Sequence, residues 1–415
     1  MKSILSLSLL AILLLATTSL AANSCEKSLG SLNFVDYVLC LQYPVETHTV
    51  TTSDGYKLTL FRIQAKNSKI TGGKPVILLW HGLLDSADTW IINDEYRAPG
   101  LILANKGYDV WFGNSRGNKY SNSHVNFDPK KSTEYWAFSW MQMSEYDLPA
   151  AFPYIAQKTG QKINYIGHSQ GTTQMWAALA NPSGKNSAIT SNLRKFAALG
   201  PVAYMANVKT KLMVALAHTP LLPQIMEQVG KYGIFQPNWV SSAVGQALCK
   251  YMSWACSLGI ALVADVNPSL DNMDRGGIFG GHFPAGTSVD DILHWKQSVQ
   301  SGGKFRKYDY GETKNKQKYG QPTPPAYDPT LVTEDVAMFV GTGDELANTL
   351  DAAKWHADMT RATKQIHYYN MGHATFLIGK SLPYMDDLLK FLDLPSGHQK
   401  RWDEEEFLAV EMSQE

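Results

Sequence analysis

Ile163-Asn164-Tyr165-Ile166-Gly167-His168-Ser169-Gln170-Gly171 is the stretch whose reading decides the fold. Ile163 to Ile166 is an apolar run of strand length, and Thr172 to Ala180 is compatible with a helix. Between them lies a Gly-x-Ser-x-Gly turn, and strand, sharp turn, helix is the setting of a nucleophile elbow. Such a turn is crowded, so a Cβ at Gly167 or Gly171 is expected to collide with the neighbouring strand or helix. Ser169 is then held out of the sheet beside a helix N-terminus, whose free N–H groups favour developing negative charge. The pentapeptide alone is weak, and its partners must be sought along the chain.

Upstream, Thr47 to Thr52 and Tyr56 to Ile63 alternate around Ser53-Asp54-Gly55, which predicts an antiparallel hairpin. Pro75 to Trp80 and Tyr108 to Phe112 are continuous apolar runs, the pattern of strands buried on both faces of a parallel sheet. Helices are predicted over Leu29 to Leu41, ahead of Lys106, and over Glu145 to Lys158; Phe196 to Leu199 is a further strand. Downstream of about Pro201 the alternation stops. Apolar helical patches follow at Thr210 to Ala217, Leu221 to Val229 and Ala243 to Val263, and Ser301 to Pro325 reads as loop. Alternation resumes with a strand at Val336 to Val340, a helix at Thr349 to Met359, a strand at Gln365 to Tyr369 and a closing helix at Leu382 to Leu392. This order describes an α/β fold with a mostly parallel sheet, built from residues 22–200 and 334–397 and interrupted by a helical insertion at 201–333. Residues 398–415, with Asp403-Glu404-Glu405-Glu406, form a polar tail.

The chain has 415 residues, with 37 Lys plus Arg against 37 Asp plus Glu. That balance argues against nucleic acid as a partner and against electrostatic capture by anionic membranes. Lys2, the apolar run Ile4 to Leu15 and Ser19-Leu20-Ala21 describe a cleaved secretory signal over residues 1–21. The apolar run is short for a membrane span, and none is expected elsewhere. Cys25, Cys40, Cys249 and Cys256 suit an oxidising compartment, either outside the cell or in a lysosomal or vacuolar lumen. Three pairings are open, of which Cys25–Cys40 and Cys249–Cys256 are the simplest. A continuous helix would hold Cys249 and Cys256 about 10.5 Å apart, beyond disulfide reach, so that pair requires a break near Ser253. Every Asn-x-Ser/Thr match is spoiled by proline, as at Asn181 and Asn267, so N-glycosylation is not expected.

A serine hydroxyl needs a base, usually histidine, oriented by a carboxylate. In this fold type both follow the serine in the chain, at the ends of late strands. Asp344, after the strand in Val340-Gly341-Thr342-Gly343-Asp344, is the carboxylate candidate, ahead of Glu345 and Asp351. The competing reading is an ordinary turn or cap residue. Among 11 histidines, His373 in Asn370-Met371-Gly372-His373 follows a strand as the base should, whereas His367 lies within that strand and His356 on a helix. An oxyanion needs two N–H donors: one from Gln170, the residue after the nucleophile, and one from Leu83 in His81-Gly82-Leu83, after an early strand. No cysteine–histidine cluster at zinc spacing and no phosphate-cradling glycine loop is present, so neither metal nor cofactor is expected.

Further motifs narrow the reading: Ser53-Asp54-Gly55-Tyr56-Lys57-Leu58, His81-Gly82-Leu83-Leu84, Gly107 to Asn118 ending in Gly-Asn-Ser-Arg-Gly-Asn, Phe138-Ser139-Trp140, Tyr146 to Ala150 and Pro284 to Ser288. With these, the chain resembles the acid lipase family of gastric and lysosomal acid lipases, within the α/β-hydrolase fold, from about residue 33 to 393. The resemblance implies a triad of Ser169, Asp344 and His373, oxyanion donors at Leu83 and Gln170, and an insertion acting as a cap with a mobile lid over an apolar acyl pocket. It implies hydrolysis of neutral lipid esters, triacylglycerols or steryl esters, at a lipid–water interface through an acyl-enzyme on Ser169. A short-chain carboxylesterase and a non-catalytic lipid-binding relative are the competing readings. The chain departs from the family pattern at Met141, where an acidic residue is usual, and at His373-Ala374-Thr375, where His-Leu-Asp is usual; the cap cysteines are also more closely spaced.

Overall fold

The computed structural model describes residues 28–219, 231–236, 239–252 and 267–393. The signal segment, the Leu221 to Val229 patch, Cys25, Cys256 and the polar tail lie outside the described residues. An eight-stranded sheet runs through the molecule in the order β1-β2-β4-β3-β5-β6-β7-β8. β1 (Val45–Thr51) and β2 (Lys57–Ile63) are the expected antiparallel hairpin, and β2 joins β4 antiparallel. β3 (Val76–Trp80), β4 (Asp109–Gly113), β5 (Ile163–His168), β6 (Leu193–Leu199), β7 (Asp335–Gly341) and β8 (Thr363–Tyr369) are parallel to one another. β3, β4 and β5 are buried at every position; the polar Asp109 of β4 pairs with Arg62 at 2.6 Å, and Asn164 Nδ2 of β5 donates to the Val76 carbonyl at 3.1 Å.

Helices cover both faces, each over its own apolar core. On one side lie α1 (Phe34–Cys40), α2 (Pro99–Asn105) and a C-terminal helix, Met385–Leu392. On the other lie α3 (Leu148–Thr159), α4 (Gln170–Leu179) and a helix after β7, Thr349–Asp358. The connection from β6 to β7, residues 200–334, adds no strand to the sheet among the described residues. It carries α5 (Lys211–Ala217), α6 (Trp239–Tyr251), α7 (Gly276–His282), α8 (Val289–Gln300) and α9 (Glu312–Tyr319). In chain order, Thr349–Asp358 is then α10 and Met385–Leu392 is α11.

Three expectations are corrected. Leu29 to Leu41 is not one helix: a 3₁₀ turn at Leu29–Ser31 precedes α1, because Asn33 caps α1 by accepting the Asp36 N–H at 3.0 Å. Residues 301–325 are not all loop, since α9 forms there with no apolar stripe to announce it; Lys316 pairs with Glu312 one turn back, and only Asn315 is buried. The elbow is also tighter than the pentapeptide suggests. β5 runs on through Gly167 and His168, paired to Ala198 and Leu199, and α4 begins at Gln170, so Ser169 alone makes the turn.

The two elbow glycines behave as the sequence requires. A Cβ on Gly167 would sit 2.8 Å from the Gly171 carbonyl carbon, and one on Gly171 would sit 2.4 Å from the Trp80 carbonyl oxygen. Both obstacles are backbone and cannot rotate away. Gly171→Ala is therefore expected to lower unfolding stability by about 3 kcal/mol, at the upper end for overpacking a buried site. A urea-unfolding midpoint equal to that of the parent protein would refute this.

Among the described residues no helix is long and apolar enough to cross a membrane.

Candidate active site

Every residue of interest sits beyond the carboxyl end of a parallel strand, the edge at which open α/β sheets bind ligands. β3 and β5 are neighbours, with Trp80 paired to Gly167, so the loop after β3 lies against Ser169. A Cβ placed on Gly82 would be 3.1 Å from Ser169 Cβ and 3.5 Å from its Oγ. Ser169 has φ 52° and ψ −121°, a backbone region that costs a non-glycine residue about 1–3 kcal/mol. The surroundings hold it there: its N–H donates to Leu199 O at 3.1 Å, and its carbonyl accepts from Thr172 N at 2.8 Å and Thr172 Oγ1 at 2.6 Å.

Asp344 follows β7 and His373 follows β8, and both are buried. His373 Nδ1 lies 2.7 Å from Asp344 Oδ2, while Asp344 Oδ1 accepts from Leu346 N at 2.9 Å and Ala347 N at 2.6 Å. The carboxyl is thus both a turn residue and the histidine's partner; the two readings of Asp344 are compatible. Because Nδ1 donates to the carboxylate, Nε2 is the nitrogen available to take a proton. The alternatives sit elsewhere. Asp351 accepts from Asn207 N and Nδ2, both at 2.8 Å, His367 remains within β8, and His356 lies on α10.

β6 stands between β5 and β7, so the Asp344–His373 pair has to reach Ser169 across its end. Gly200, immediately after β6, leaves that passage open. A Cβ there would lie 3.1 Å from His373 Nδ1 and 3.4 Å from Asp344 Oδ2. His168 supports the same histidine from below, its Nε2 3.0 Å from the His373 carbonyl oxygen. Burial, with His373 beside it, holds the His168 pKa well below the usual histidine range, so the ring is neutral and Nε2–H donates.

Ser169, His373 and Leu83 line one cavity of about 510 Å³. Its other walls are mostly apolar, including Val202, Met213, Phe279, Leu346 and Leu377. Gln170 is the first residue of α4, so its N–H has no acceptor within the helix. Its side chain is turned aside, with Oε1 accepting from Trp295 Nε1 of α8 at 2.5 Å. One cavity residue stands out chemically. Asp85 accepts the Ser86 N–H at 2.8 Å, and burial pushes its carboxyl up to about 7.

Several motif residues have structural work around this site. Arg116 is fully buried, with Nε donating to Asp147 at 2.7 Å and Nη2 to Asp54 at 3.0 Å, and its guanidinium lies 3.9 Å from the centre of the Tyr56 ring. Met141 is buried and receives the Tyr319 hydroxyl at 3.6 Å. Thr375 accepts from Gly372 N at 3.1 Å and donates to Asp271 at 2.8 Å, tying the His373 loop to the long connection. Cys40 and Cys249 are both disulfide-bonded, and α6 ends at Tyr251, short of Ser253. Among the described residues, no group of three His, Cys, Asp or Glu is gathered to hold a metal ion.

Sequence reasoning did not single out Gly200, Asp85 or the contacts of His81. A glycine immediately after a strand was the available signal for the first; the other two depend on neighbours remote in the chain.

Comparison with known proteins is consistent with this geometry. Residues 34–94 match a family described as a partial α/β-hydrolase lipase region, and residues 75–380 match the α/β hydrolase fold family. Rat gastric triacylglycerol lipase (Rattus norvegicus) is 36% identical, over 85% of this chain and 89% of its own. Lipase lipl-1 of Caenorhabditis elegans is 36% identical over 82% of this chain and 86% of its own, and human lipase member M is 37% identical over 82% and 80%.

Proposed function

This chain belongs to the α/β-hydrolase-fold lipases, and from that membership we propose that it hydrolyses triacylglycerols through an acyl-enzyme on Ser169. The observation that supports the residue roles is the meeting of Ser169, His373 and Leu83 at one largely apolar cavity, with Asp344 bonded to His373 Nδ1 at 2.7 Å. His373 Nε2 takes the Ser169 proton as Oγ attacks the ester carbonyl. The Leu83 and Gln170 N–H groups receive the oxyanion. Collapse passes the proton to the departing glyceride alcohol, and water activated by His373 then releases the fatty acid. Asp344 keeps Nδ1 protonated and stabilises the imidazolium.

The β6–β7 connection serves as a cap over the cavity. It contributes Met213, Phe279 and Trp295 to the wall and presents the exposed apolar side chains Tyr232, Phe235, Tyr251, Met252 and Phe283. Large apolar side chains left in water along one connection support contact with a lipid surface. The N-terminal signal pattern supports export, to the cell exterior or to a lysosomal or vacuolar lumen.

Emulsified long-chain triacylglycerol, a steryl ester and a soluble short-chain ester, compared at equal ester concentration, test the substrate class. Triacylglycerol is expected to be hydrolysed fastest. Preference for the soluble ester would overturn the lipase reading, and preference for the steryl ester would replace the substrate.

Asp85 adds a pH signature. Below about 7 its carboxyl is protonated; above it a carboxylate stands in the otherwise mostly apolar wall. KM for a long-chain ester is expected to rise several-fold from about pH 6 to about pH 8, and Asp85→Asn is expected to flatten that rise. An identical KM profile in the variant would show that Asp85 does not meet the substrate.

A further inference from the structure

The loop that carries Leu83 is held from behind. His81 is buried, its Nδ1 is 2.8 Å from the Gly82 carbonyl oxygen, and its Nε2 is 3.0 Å from Ser115 N and 3.1 Å from Asn118 Nδ2. A backbone N–H can only donate, so Nε2 must accept from Ser115 and Nδ1 must carry the hydrogen. The tautomer is set by Ser115, and Nδ1–H donates to Gly82. Burial lowers the His81 pKa to about 4, which keeps the ring in this neutral form.

Gly82 C=O and Leu83 N–H belong to one planar trans peptide and point in opposite directions. Whatever holds the carbonyl therefore aims the N–H. The loop is pinned again one residue on, where Leu84 O accepts from Ala285 N at 2.6 Å. The group that holds His81 is itself braced: Ser115 Oγ accepts from Trp80 Nε1 at 2.9 Å and from Gln174 Nε2 of α4 at 3.2 Å. Asn118 Nδ2 also reaches Asn114 Oδ1 at 3.0 Å. The Gly113–Asn118 segment thus connects the strand before the oxyanion loop with the helix after the nucleophile.

We propose that His81 is a positioning residue for ester hydrolysis: fixed by Ser115 and Asn118, it draws the Gly82 carbonyl away from the site and so turns the Leu83 N–H toward the oxyanion. The proposal rests on the reading of Leu83 as an oxyanion donor. It assigns a purpose to the Gly-Asn-Ser-Arg-Gly-Asn motif, which contributes no reacting group. A peptide free to rotate would still admit substrate but would meet the transition state poorly, so the loss falls on kcat and spares KM.

The full-length protein is tested first for hydrolysis of a soluble p-nitrophenyl ester and for labelling of Ser169 by an organophosphonate. Failure of both would overturn the proposed function before His81 is reached. His81→Phe, His81→Asn and His81→Gln are then compared. In His81→Phe, kcat is expected to fall about a hundredfold to a thousandfold, with KM within about threefold and the phosphonylation rate falling in parallel. Asparagine places an amide N–H where Nδ1 stood, and is expected to recover at least about tenfold over phenylalanine. Glutamine places its amide at the Nε2 position and is expected not to. Should His81→Phe fail to fold, by circular dichroism, the contrast between asparagine and glutamine carries the test. A folded His81→Phe with kcat within about threefold of the parent, or rescue by glutamine equal to that by asparagine, overturns the proposal.

Discussion

Ser169→Ala is expected to lower kcat for ester hydrolysis by about a million-fold while leaving the fold intact, because nucleophile and base act as one unit. The substitution removes a single oxygen at a buried position. The backbone bonds that hold the turn, from Leu199, Thr172 and Thr173, do not involve that oxygen. The unfolding midpoint should therefore stay close to the parent value, which separates loss of chemistry from loss of structure. His373→Ala is expected to cost about as much, and the double variant little more than either alone. Organophosphonate labelling should disappear in Ser169→Ala and nearly disappear in His373→Ala. A Ser169→Ala protein that keeps its esterase activity would show that the elbow is not the reacting site.

Asp344→Asn is expected to lower kcat by about ten-thousand-fold, again with little change in stability. The reason lies in the two roles of the carboxyl. Oδ1 accepts the Leu346 and Ala347 N–H groups, and an asparagine carbonyl can continue to do so. That choice turns the amide NH₂ toward His373 Nδ1, where Oδ2 now accepts at 2.7 Å. An NH₂ donates, so Nδ1 must become the acceptor and the hydrogen moves to Nε2, the nitrogen that should receive the serine proton. The ring is then present, placed and in the wrong tautomer. Asp344→Ala, which also abandons the two turn N–H groups, is expected to lose stability as well as rate. Equal kcat in the parent and Asp344→Asn would assign the base to another carboxyl partner.

Much of this arrangement was legible in the chain because its signals are local. Strands buried on both faces are rich in apolar residues, and the runs Val76–Trp80, Val110–Phe112 and Val336–Val340 announce themselves that way. The elbow needs two glycines at set spacing, since backbone crowds both Cβ positions. α9 was missed for the complementary reason: a helix that buries only Asn315 has no apolar period to read. The tautomer of His81 could not be read either, because its partners Ser115 and Asn118 are more than thirty residues away.

The sequence by itself determined the kind of fold, the elbow and the three residues proposed for the triad, because each follows a recognisable strand and chain order restricts the candidates. Tertiary structure alone decided how they meet. The strand order places β6 between Ser169 and the Asp344–His373 pair, and Gly200 at its end, with φ +53°, leaves the space that a Cβ would crowd. It also decided which way the Leu83 peptide faces, through a histidine whose tautomer is dictated from another loop. Hydrophobic period and turn chemistry are properties of neighbours in the chain. The direction of a hydrogen bond is a property of neighbours in space.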